Sequence, residues 1–138
     1  MARFSDLGVQ SDAIVGKGIE IEDLFDKRIL IEKVRIEQSK FPGKNASGKV
    51  MQMQVVLATF NADPDPAGDY FTKDQNGVAI GDRRCVFTAS DNLMKEIELA
   101  ESAVARENAK RAEKDLPALN LFPIDTTIVK VGKCFHLN

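Results

Sequence analysis

The chain has 138 residues, 43% of them hydrophobic and 29% charged, with a net charge of −2. That length suits one domain with a single core, and the balance excludes a disordered chain. No apolar stretch approaches the roughly 20 residues that cross a bilayer. The opening residues Met1-Ala2-Arg3-Phe4-Ser5-Asp6 lack the basic-then-apolar pattern of a secretory signal, and Cys85 and Cys134 are too few and too distant for a disulfide framework or a zinc cluster. The expectation is a cytoplasmic protein without membrane, metal or cofactor.

Residues 1–18 show no sustained period and are interrupted by Gly8, Gly16 and Gly18, so they read as a flexible arm ahead of one domain over 19–138. A short strand is expected at 19–21. The first long alternating run covers 28–37. Leu30, Glu32, Val34 and Ile36 share one face there, and Ile29, Ile31, Lys33, Arg35 and Glu37 the other. Apolar residues change face near Glu32 and Lys33, which predicts a β-bulge.

A turn-rich connection over 41–48 leads to the second run, 49–60. Met51, Met53, Val55 and Leu57 point to the expected core, while Gln52, Gln54 and Val56 point out. Residues 61–82 are long for a simple connection, and Asn76-Gly77 predicts a hairpin turn within them. Asp63, Asp65 and Asp69 superficially suggest a calcium loop, but Ala67 occupies a ligand position and no Glu closes the loop.

The third run, 83–88, precedes a helix over roughly 91–115 that Ser90 or Asp91 caps. Its stripe of Leu93, Ile97, Ala100 and Val104 fades, so the charged second half is expected to project into water, and Pro117 ends it. Strands at 124–131 and 133–137 close the chain. The expected core is Leu30, Val34, Ile36, Met53, Val55, Leu57, Leu93, Ile97, Ile128 and Val129. Three strands, one helix and two further strands is the order of an OB-fold, so the fold class is mainly β, a five-stranded OB-fold Greek-key barrel with one long helix between strands 3 and 4.

Catalysis is not expected. The sequence has no Gly-rich phosphate loop, no His-x-x-x-His helix and no nucleophile elbow, and the lone His136 reads as a surface or packing residue. Charge is distributed unevenly instead. Residues 1–26 carry six acids against two bases, whereas 27–49 carry seven bases against two acids, an excess of five. A basic face is what a polyanion meets, whatever the net charge.

On an OB-fold the binding groove crosses strands 2–3 between two loops. Lys33, Arg35, Gln52, Gln54 and Arg84 are expected on its outward face; Lys40, Phe41, Lys44 and Lys49 in the first loop; Lys130 and Lys133 in the last. Phe41, Tyr70 and Phe71 are the candidate stacking residues. Phe87 reads as core, but with the opposite strand parity Arg83 and Phe87 face the groove.

Val86-Phe87-Thr88-Ala89-Ser90, then a helix, then Leu121-Phe122-Pro123-Ile124 and the run from Thr127 to Leu137 resemble small single-stranded DNA-binding-like proteins of phages and integrative mobile elements. The approach of Asp23 to the first strand resembles their opening too. The resemblance covers about half of the chain; the long acidic 61–82 segment and the longer helix depart from it. It implies an oligonucleotide-binding barrel without catalytic residues. The expected partner is single-stranded DNA, with RNA open because the 2′-hydroxyl contact leaves no motif. The alternative is a protein-interaction module in a replication or conjugation complex, and exposed strand edges are compatible with a homodimer.

Overall fold

The structure, a computed structural model, describes residues 13–40, 43 and 45–138. Alternating sequence becomes strand where expected: β2 is Arg28–Gln38, β3 is Lys49–Ala58, β4 is Gly81–Thr88, β5 is Ile124–Val131 and β6 is Cys134–Leu137. A further short strand, β1, is Lys17–Gly18. It replaces the strand expected at 19–21, and Ile21–Leu24 instead form a 3-10 turn that buries Ile21 and Leu24. The six strands form one open sheet in the order β1-β4-β3-β2-β5-β6. The protein is thus mainly β, with one α-helix, α1, at Asp91–Glu113.

The register between β2 and β3 slips between Ile31 and Lys33. One extra residue in β2 is therefore accommodated where the apolar pattern changes face, as a bulge does. The slip puts Ile29, Ile31, Val34 and Ile36 together on the inner face, beside Met51, Met53, Val55 and Val86. Ile29, Ile31, Met51, Met53, Val55 and Val86 there are fully buried, with Leu93, Ile97 and Ile128. Val34, Ile36 and Leu57 are half-buried against this cluster, and Val129 is half-buried.

Leu30 is buried, but on the other face. It packs there with Val56, Phe71 and Ala79. Val56, expected to face outward into solvent, is covered because residues 59–80 fold back over the sheet. Phe60 bridges to Phe71 and Lys73 to Ala79. The expected turn is present: the Val78 amide donates to Asp74, and Gly77 adopts φ +78°, a left-handed geometry that favours glycine.

Ser90 caps α1 by accepting from the Leu93 amide at 3.2 Å. The first turns bury Leu93, Met94 and Ile97, and two bonds dock the helix on β6. Asn92 donates to the Phe135 carbonyl at 2.6 Å, and Glu96 accepts from the Leu137 amide at 3.2 Å. Beyond Ile97 no helical residue is buried, so the charged half leaves the sheet as its composition indicates. The chain then returns along it: Asn108 donates to the Leu119 carbonyl and accepts from the Leu119 amide, and Arg111 donates to the Pro117 carbonyl.

Candidate nucleic-acid interface

The outer face of β2, β3 and β4 divides into three zones along the strands. At one end Arg28 forms a two-point bond with Asp125, at 2.9 and 2.7 Å, and lies over the rings of Phe60 and Tyr70. Here the 59–80 excursion covers the sheet. Tyr70 keeps an exposed edge (38%), but Phe71 is only 6% exposed and packs on Leu30 and Val56. The expectation that Phe71 offers a stacking surface is corrected: its ring belongs to the hydrophobic contact that seats the excursion.

Two acids of this excursion, Asp65 and Asp69, are engaged within it. Lys73 bridges Asp65 and Asp69, and Asp65 accepts from the backbone amides of Ala67 and Asp69. Those amides and the ammonium keep the Asp65 carboxyl below its usual range, and the two carboxylates hold the Lys73 amine above its own. No group of three or more metal-ligating side chains occurs among the described residues.

In the middle zone Lys33 and Cys85 flank Gln54 across the three strands. Gln54, expected on the open surface, is 4% exposed. Its amide donates to Glu32 at 2.8 Å and accepts from the Val15 amide at 2.8 Å. Arg83 does face this side, but two of its guanidinium bonds go to Glu32, at 2.9 and 3.0 Å, and a third goes to the Ala79 carbonyl. Arg84, expected on the outer face, points the other way because β4 pairs Arg84 with Val55, and it bonds Asp82 at 2.7 Å.

The far zone is open. Arg35, Gln52 and Phe87 form one row across β2, β3 and β4. Phe87 is 61% exposed, so its reading as core is corrected and the opposite parity holds. Gln52 is half-buried, its amide donating to Cys85 Sγ at 3.1 Å. Arg35 is exposed, with Glu37 3.8 Å away. Beside Phe87 lies a groove of about 500 Å³ lined by Glu37, Lys40, Asn45, Lys49, Val50 and Thr88 among others. An exposed ring edged by Arg35, Lys40 and Lys49, against the acid Glu37, can stack a planar base and hold its phosphates.

Lys133 stands apart from this row, in a cleft with Ser90, Asp91 and Lys95 at the helix start, and Lys130 is exposed opposite Phe135. The β5–β6 hairpin therefore places Lys133 at the helix start rather than over Phe87. Phe41 and Lys44 lie outside the described residues.

A polar network ties the Asn45 and Lys49 side of the groove to the start of the helix. Asn45 donates to the carbonyls of Lys49 and Ala89 and to Asp91, and the Ser47 hydroxyl donates to Asp91. The Ser47 hydroxyl, then the Ser47 and Ala46 amides and the Lys49 charge, hold the Asp91 carboxyl below its ordinary value against the effect of burial. A carboxyl lowered on folding stabilises fully above its unfolded value and loses that contribution as pH falls through the folded one. Asp91→Asn is therefore expected to be less stable than the parent chain at pH 7. In urea melts the gap should close as pH falls below about 4; a gap independent of pH would remove Asp91 from this role.

Comparison with protein-family models, with curated proteins and with solved structures finds no match to this chain.

Proposed function

We propose that this protein binds single-stranded nucleic acid, DNA by preference, without catalysis. The observation that carries the reading is Phe87, exposed in line with Gln52 and Arg35 and beside a groove that holds Lys40 and Lys49. A base stacked on Phe87 would place its backbone among these cations. The strand order supports an OB-type barrel as the scaffold: β5 returns beside β2, giving β5-β2-β3-β4, a Greek-key arrangement. The helix also falls between the third and fourth of the long strands.

Titration with fluorescent oligo(dT) and with duplex DNA of equal length, at two salt concentrations, tests the proposal. Oligo(dT) should bind more tightly than the duplex, and its affinity should fall steeply with salt. Absence of oligo(dT) binding at low salt would refute it.

A second reading rests on a different feature. Leu99, Leu116 and Leu119 are exposed on the projecting half of α1 and on the segment returning along it. Such a surface suits docking of a protein, as in a replication or conjugation complex.

A further inference from the structure

The middle zone of the outer face is covered by the chain itself. Running backward from β1, which lies parallel on the β4 edge at Arg84 and Cys85, the backbone crosses the sheet. The Ile19 amide donates to the Cys85 carbonyl at 3.1 Å. The Val15 amide reaches Gln54 on β3, and the Ala13 carbonyl accepts from Lys33 on β2 at 3.2 Å. Residues 13–16 thus pass over the three strands that present the Phe87 row, one row away from it.

We infer that residues 13–16 form an autoinhibitory strap, which competes with a single-stranded nucleic acid for Lys33 and Gln54. The inference rests on the proposed binding function and adds a regulated extension to that site. Three observations carry it. First, the strap occupies the groups a strand would use: Gln54 accepts from the Val15 amide and donates to Glu32, and Lys33 donates a hydrogen bond to the Ala13 carbonyl where a phosphate oxygen would compete. Second, no buried side chain anchors the strap. None of the side chains from Ala13 to Gly18 is buried, and Val15 is 51% exposed. Third, the close approach depends on one residue. Gly16 adopts φ +119°, and a Cβ there would lie 2.7 Å from the Arg83 carbonyl oxygen. A side chain at this position must lift the strap.

With the strap down, the open site is the Phe87 row and its groove. With it displaced, Lys33 joins the phosphate contacts and Gln54 can accept from a base. A binding-competent state that is only partly populated lowers apparent affinity by its population.

The test uses the full chain with Gly16→Val, and fluorescent oligo(dT) as the ligand. Affinity should rise about fivefold or more, and the salt slope should steepen by about 0.7 as Lys33 turns to a phosphate. In the unaltered chain, hydrogen exchange at the Val15 amide should accelerate when oligo(dT) saturates the protein. That measurement decides the matter if Gly16→Val does not fold. Equal or weaker binding by folded Gly16→Val, or a Val15 amide unchanged or further protected by oligo(dT), would overturn the strap while leaving the binding function standing. No binding by either chain would overturn both.

Discussion

Phe87→Ala is expected to weaken oligo(dT) binding by about 1–3 kcal/mol while leaving the salt slope nearly unchanged. Stacking one base on an aromatic ring is worth that much and releases no counterions. Arg35→Ala should behave differently, reducing affinity for all sequences and lowering the salt slope by about 0.7, the share of one neutralised phosphate on a single strand. Phe87 is exposed, so its truncation should leave the urea midpoint of unfolding close to that of the parent chain. Lys110→Ala, on the exposed outer part of α1, serves as the control and should change neither affinity nor slope. If Lys110→Ala weakens binding as much as Arg35→Ala, the interface lies on the helix and not on the sheet.

Phe71→Ala should show the opposite pattern, costing about 3–5 kcal/mol of stability, as aromatic truncations in a core do. Its ring closes the small cluster with Leu30, Val56 and Ala79, and removing it leaves a cavity beneath the 59–80 excursion. Denaturant unfolding followed by circular dichroism gives the stability change. The chain that remains folded should bind oligo(dT) with parent-like affinity, because Phe71 has almost no surface to offer a base. Unchanged stability with abolished affinity would restore Phe71 as a stacking residue and argue against the packing described for it.

The secondary-structure elements are legible in the sequence because their signals are local. Period-two alternation places β2 to β6 within about two residues of their observed ends. The face change at Glu32 and Lys33 marks the bulge, and Asn76-Gly77 marks a turn. Ser90 and the fading stripe of α1 mark where the helix starts and where it leaves the core. Which faces stay open is a matter of long-range packing. Alternation separates Met53 from Gln54 but does not say what covers either side. The cover over Val56 comes from Phe71 and Ala79, and that over Gln54 comes from Val15, all distant along the chain.

Parity in β4 is ambiguous in the sequence for a related reason. Arg83-Arg84-Cys85-Val86-Phe87-Thr88 contains no clean alternation, so only pairing with β3 fixes Val86 inward and Phe87 outward. The same pairing sends Arg84 to the inner side and gives Arg83 to Glu32. Charge counting along 27–49 finds the basic segment, but it cannot subtract the cations already engaged, since ion pairing joins residues distant in sequence. Local periodicity therefore sets the strands and the helix. Long-range register, and segments folded back over the sheet, set which residues of the outer face stay open.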